Sequence, residues 1–217
     1  MVNAPNVNTD DYFVNEDASI PAKHGTTVQS GWDAAEKFLK PKKEAGAYAT
    51  DFKTTEQPQL IRFLDDSPFM VYEQHWINRT EGKRSFVCLG DNCPLCTIAG
   101  DQPRARFVFN VLVLTDEEPT VQLLTATPTL AKILRSKNDD PKSGPLSKYF
   151  WAISRQGTAT TTQYIVERVK AMDLAEEWEL DVEVVEAAIA SSVKYDSSVV
   201  YISPQEELLK LARQLVS

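Results

Sequence analysis

The chain has 217 residues, 42% of them hydrophobic and 25% charged, enough for one substantial domain with additions or for two small ones. No run of 18 apolar residues exists, which excludes a membrane-spanning helix, and the polar, acidic residues 1–17 lack the basic start and apolar stretch of a signal peptide. A cytoplasmic location is expected, where thiols stay reduced, and three cysteines suit metal ligation better than a disulfide framework. The formal charge of −8 argues against a nucleic-acid partner only until its placement is read. Residues 1–51 carry 5 basic and 8 acidic side chains, residues 52–170 carry 15 and 13, and residues 171–217 carry 3 and 10. The middle of the chain is mildly basic, and the acidity is concentrated after residue 170.

Residues 1–50, rich at first in Asn, Asp, Thr and Pro, predict a flexible arm with one short helix over 32–40. Trp32, Ala35, Phe38 and Leu39 give that helix an apolar stripe for packing, and Pro41 helps to end it. From residue 59 the rhythm is that of strands: 60–64, 69–79 and 83–89, then a loop with two cysteines, then 104–114. Residues 129–137 predict a helix, and 149–155 with 162–170 a second hairpin across Gln156-Gly157. Residues 51–170 therefore read as an OB-type barrel of five or six strands with an interposed helix and a metal-binding loop. Residues 171–217 read as an acidic helical segment, with one or two helices over 174–191 and a last one from Pro204 to Val216. The fold class is mainly β with added helices.

The most specific pattern is His75-x12-Cys88-x4-Cys93-x2-Cys96, which uses every cysteine and one of the two histidines. Zinc prefers four tetrahedral ligands from thiolate sulfur and imidazole nitrogen, and one histidine with three cysteines makes a closed, structural site. If Glu81-Gly82 form a two-residue turn, His75 faces Cys88 directly, with Cβ atoms roughly 4.5–5.5 Å apart. The Cys93-Pro94-Leu95-Cys96 knuckle then supplies the other two ligands. A catalytic zinc needs an open position and a general base. The deaminase pattern of H-x-E with P-C-x-x-C is absent, because Trp76 and Ile77 follow His75. No Walker loop, G-x-S-x-G or carboxylate cluster with metal spacing is present, and the chain is not expected to be an enzyme. His24 reads as a plain surface residue, and Asn78-Arg79-Thr80 as a chance match to a glycosylation acceptor.

Four stretches carry a resemblance: Arg62-Phe63-Leu64-Asp65-Asp66-Ser67-Pro68-Phe69, Gln74-His75-Trp76-Ile77, Cys88-Leu89-Gly90-Asp91-Asn92-Cys93-Pro94-Leu95-Cys96 and Phe109-Asn110-Val111-Leu112. Over residues 60–170 the chain resembles the single-stranded-DNA-binding proteins of bacteriophages that infect actinobacteria. More distantly it is similar to the T-even phage helix-destabilising protein, which has one histidine and then three cysteines inside an OB fold. The resemblance implies a non-enzymatic binder of single-stranded DNA in phage replication, recombination or repair, with replication or recombination proteins as further partners, in the host cytoplasm. Two departures stand out. The gap between the first two cysteines is shorter than in the T-even protein, and the acidic stretch at 173–186 is internal and helical in pattern rather than a terminal tail.

Sequence-tolerant binding of single strands needs cations that track phosphates and aromatic faces on which bases stack. The phosphate-contact candidates are Arg62, Arg79, Lys83, Arg84, Arg104, Arg106, Arg155, Arg168 and Lys170; the stacking candidates are Tyr72, Trp76, Trp151 and Tyr164. Phe69, Phe109 and Phe150 are assigned to the core. The alternative function is a zinc-stabilised protein-interaction module, such as a helicase loader or transcription accessory factor, which the acidic segment 171–217 keeps open.

Overall fold

The computed structural model describes residues 49–116, 118–158 and 161–216. The arm and the helix expected over 32–40 lie outside the described residues. Seven strands form one antiparallel sheet: β1 (Gln59–Phe63), β2 (Met70–Trp76), β3 (Ser85–Val87), β4 (Arg104–Val113), β5 (Thr120–Ala126), β6 (Phe150–Gln156) and β7 (Gln163–Val169). Among the described residues five α-helices accompany them: α1 (Pro94–Thr97), α2 (Pro128–Asp139), α3 (Asp173–Glu177), α4 (Val182–Ser191) and α5 (Gln205–Val216). The expectation of a mainly β chain with added helices is met. None of these helices is long and apolar enough to cross a membrane.

The strand order is β3-β2-β4-β1-β6-β7, with β5 on the other edge of β4. β4 organises the sheet, because one of its edges carries β2 along Arg104–Val108 and β1 along Val111–Val113. β1 and β2 are thus two parts of one interrupted edge, and the chain between them returns to β4 through Leu64 N–H to Asn110 O and Phe69 N–H to Val108 O. Residues from Val108 to Leu114 are buried on both sides of the sheet, which explains why this stretch is apolar at every position but Asn110 rather than alternating.

On the inner side Ile61, Phe63, Phe109, Val111, Trp151 and Val166 pack with Leu130 and Leu134 of α2. Thr127 caps α2, its side chain accepting from Leu130 N–H, and Pro128 occupies the first turn, where no donor is missed. The helix packs against β4, β5 and β7. On the outer side Leu60, Leu112, Phe150 and Val169 are covered by Leu174 of α3 and Val185 of α4. A third cluster joins Ile77, Phe86, Cys93 and Leu95 to Leu208, Leu211 and Ala212 of α5.

The structure differs from the sequence expectation in two respects. Seven strands replace the expected five or six; the unforeseen one, β5, has adjacent buried residues, Leu123 and Leu124, that break the alternation of a half-buried strand. The pairing is also an open path among the described residues: β7 pairs with β6 only, and β5 pairs with β4 only among the named strands. A single parallel bridge from Asp51 to Leu123 extends the sheet beyond β5.

Candidate metal centre and exposed sheet face

β2 and β3 form a hairpin whose register pairs Gln74 with Val87, His75 with Phe86 and Trp76 with Ser85. Ile77 N–H donates to Arg84 O, so the connecting loop spans 78–83 and not the two residues Glu81-Gly82. The direct pairing of His75 with Cys88 is therefore corrected by two residues. Arg79 and Lys83 lie over the Phe86 ring at 5.3 and 5.2 Å, contacts that the wider loop accommodates. Cys88 follows β3 with its N–H on Glu73 O. A shift of two preserves the face, so His75 and Cys88 are diagonal neighbours on one side of the hairpin, still within reach of a shared ion.

After Cys88 the chain turns at Gly90, whose φ of +79° favours glycine, and Cys93 N–H closes onto Gly90 O. Cys93 then opens α1, with Pro94 in its first turn, and its carbonyl accepts from Cys96 and Thr97 N–H. This knuckle carries two sulfurs back toward the hairpin.

The ligand atoms of His75, Cys88, Cys93 and Cys96 all lie within 4.8 Å of one another, so the four could hold a metal ion. Cys88 Sγ is 3.6 Å from Cys96 Sγ, and His75 Nε2 is 3.4 Å from Cys93 Sγ and 3.5 Å from Cys96 Sγ. A tetrahedron with bonds of about 2.3 Å to sulfur and about 2.0 Å to nitrogen has edges of about 3.8 Å between sulfurs and about 3.6 Å between sulfur and nitrogen. The three separations are within a few tenths of those edges, and the set is compatible with zinc.

His75 is wholly buried, and its Nδ1 lies 2.7 Å from Asp101 Oδ2. Asp101 is held in turn by its N–H on Leu95 O. A carboxylate at Nδ1 fixes the ring and leaves Nε2 facing the sulfurs, the arrangement by which metal-bound histidines are usually oriented. Sequence reasoning missed Asp101; the available signal was an acidic residue five positions beyond the last cysteine.

The thiols are differently biased. Burial raises Cys93, but the backbone amides of Leu89, Cys96 and Leu95 outweigh it and bring the thiol down to about 7. Burial and the neighbouring Cys88 and Cys93 push Cys96 up to about 12, and burial likewise raises Cys88. Three adjacent sulfurs cannot all ionise alone, whereas a bound dication would favour the thiolate form of each.

The other side of the hairpin has a different character. Tyr72 pairs with Arg106 and Gln74 with Arg104, and Trp76 continues the same side of β2. Arg106 Nε donates to Gln74 Oε1 at 2.9 Å, and Trp76 is 58% exposed. α3 and α4 cover the far half of this outer side; among the described residues no helix covers the Tyr72–Trp76 stretch with Arg104 and Arg106, where Trp76 and Arg104 are exposed and Tyr72, Gln74 and Arg106 half-buried. Arg79 and Lys83 belong to the adjoining hairpin loop, and Arg84, just past it, donates to Thr80 O.

The remaining candidates are placed elsewhere. Trp151 is corrected from stacking platform to core residue: its ring is 0% exposed and its Nε1 donates to Leu146 O at 2.8 Å, so neither face is free. Tyr164 packs against the inner core, half-buried. Arg168 lies over the Tyr149 ring and donates to Lys142 O. Arg62 lies over the Phe150 ring at 5.0 Å and reaches Lys148 O, and burial lowers its pKa. Arg155 and Lys170 are exposed at the ends of the second hairpin. Phe109 and Phe150 are buried as expected, whereas Phe69 is only half-buried. The chain matches no family model, no curated protein and no solved structure.

Proposed function

We propose that this chain is a single-stranded-DNA-binding protein of OB type, stabilised by one zinc ion on His75, Cys88, Cys93 and Cys96, and that it is not an enzyme. The observation that carries the reading is the register of β2 on β4, which gathers Tyr72, Gln74, Trp76, Arg104 and Arg106 on one side of the sheet that no helix among the described residues covers. Stacking faces alternate there with guanidinium groups, the combination that sequence-tolerant single-strand binding requires.

The topology supports the OB reading. The interrupted edge β1–β2 pairs with β4 and, through β1, with β6; β4 pairs with β5, β6 with β7, and α2 lies between β5 and β6 in sequence. α2 packs against both β5 and β7, spanning the place where a closing pair would stand. In this frame the metal-bound hairpin is an elaboration of the loop before the second barrel strand, one of the loops that OB folds use for oligonucleotides. Four protein ligands leave zinc no open position, which supports a structural and not a hydrolytic metal.

The test is an intrinsic-fluorescence titration with oligo-dT over a range of salt. Binding is expected to quench Trp76, and log K is expected to fall by about 0.7 per decade of salt for each phosphate neutralised. Absence of binding at low salt overturns the reading and favours the protein-interaction module, for which the acidic exterior of α3 and α4 is the supporting observation.

A further inference from the structure

Between α4 and α5 the chain crosses from one side of the molecule to the other, and both ends of that crossing are fixed. At the start, the Asn110 side chain pairs with the Tyr195 backbone in both directions, donating to Tyr195 O at 3.1 Å and accepting from Tyr195 N–H at 2.9 Å. Asn110 is 1% exposed, and beside it Lys194 Nζ meets Asp65 Oδ1 at 2.6 Å. At the finish, Leu208, Leu211 and Ala212 of α5 are buried against Phe86, Cys93 and Leu95. The crossing thus runs from the middle of β4 to the hairpin that carries the candidate metal ligands.

Near its finish the crossing presents Tyr201, which is 62% exposed although aromatic. One side of its ring is held by Lys83, with Nζ 4.6 Å from the centroid, and the same ammonium lies 5.2 Å from the Phe86 ring. Lys83 therefore ties the crossing to the hairpin loop. A cation against one side of an exposed tyrosine ring limits its reorientation relative to a ring in open solvent. Arg79 Nε and Ser203 Oγ, two buried side-chain polar atoms with no hydrogen-bond partner among the described residues, belong to these same two segments.

We infer that Tyr201, clamped by Lys83, is a further base-stacking residue, and that the crossing over residues 195–203 extends the single-strand-binding face from Trp76 around the hairpin loop. The inference rests on the proposed function and adds to it a contact from the acidic C-terminal region. Because Glu206 and Glu207 follow in the first turn of α5, phosphates gain little from this segment, and the contribution of Tyr201 is stacking. The phosphate contacts at this end come from Arg79, Lys83 and Arg84.

The experiment compares the full chain with Tyr201→Ala and Tyr201→Phe on oligo-dT of graded length, with zinc content and Tm measured on each variant. Tyr201→Ala is expected to weaken binding about tenfold, the size of one lost stacking contact, on oligonucleotides long enough to reach the hairpin end, and to leave the shortest ones unchanged. Tyr201→Phe is expected to bind like the parent. Oligonucleotides carrying 5-iodouracil are expected to photo-crosslink to Tyr201. Equal affinity of Tyr201→Ala at every length, with no crosslink at Tyr201, overturns this inference alone. Failure of the parent chain to bind any length removes the proposed function together with it.

Discussion

The two tryptophans of the sheet show how position governs the role of a residue. Trp76 and Trp151 belong to one sheet, yet one is 58% exposed and the other fully enclosed with its indole N–H on Leu146 O. Trp151→Ala is expected to cost about 3–5 kcal/mol of stability, measured by denaturant unfolding, because it opens a cavity and orphans a carbonyl. Trp76→Ala is expected to leave unfolding unchanged within about 0.5 kcal/mol and to weaken oligo-dT binding roughly tenfold. Reversed outcomes would exchange the two assignments. Asp101 acts at the same scale through the ring it orients. Asp101→Ala is expected to lower metal affinity roughly 10–100-fold in competition with a chromophoric chelator, while all four ligands remain. Unchanged affinity would reduce Asp101 to a surface hydrogen bond.

Among the described elements, α5 packs on the hairpin and knuckle that carry the four candidate metal ligands, since its buried residues belong to the cluster around Phe86, Cys93 and Leu95. Leu208→Ala, at a fully buried site, is expected to loosen this docking by about 2–5 kcal/mol. Amide hydrogen exchange should then accelerate in α5 and the hairpin while β4 and β6 keep their protection, and a uniform acceleration would contradict separate docking. The sequence disclosed α5 through Pro204 and its apolar positions, and disclosed the ligand set through the spacing of four residues, because both signals are local. It misjudged what depends on distant partners. The hairpin register shifted by two because Arg79 and Lys83 pack on Phe86 within a wider loop. β5 escaped notice because Leu123 and Leu124 are buried together. Asn110 was visible as part of a motif, but its function, pairing with the Tyr195 backbone, depends on a segment 85 residues away in the chain.

At the scale of the whole molecule, the inner core of Phe63, Phe109, Trp151 and α2 contains no metal ligand. Chelation is accordingly expected to release the hairpin and α5 while most of the β signal in far-UV circular dichroism persists, and zinc, but not magnesium, is expected to reverse the change. Complete loss of the β signal would place the metal at the foundation of the sheet. Charge follows the same division: the mildly basic centre carries the stretch with Tyr72 and Trp76, and the acidic helices α3 and α4 cover the other half of that side.

The docking of α5 on the knuckle also bears on biosynthesis. A ribosome releases His75, Cys88, Cys93 and Cys96 well before it releases Leu208, Leu211 and Ala212, which complete the apolar surroundings of the knuckle. Until more than a hundred further residues have been translated, Phe86 and Leu95 stay uncovered on a nascent chain, the kind of transient apolar surface on which aggregation begins. Early capture of the ion would hold that half-built surface in order while its cover is still being synthesised.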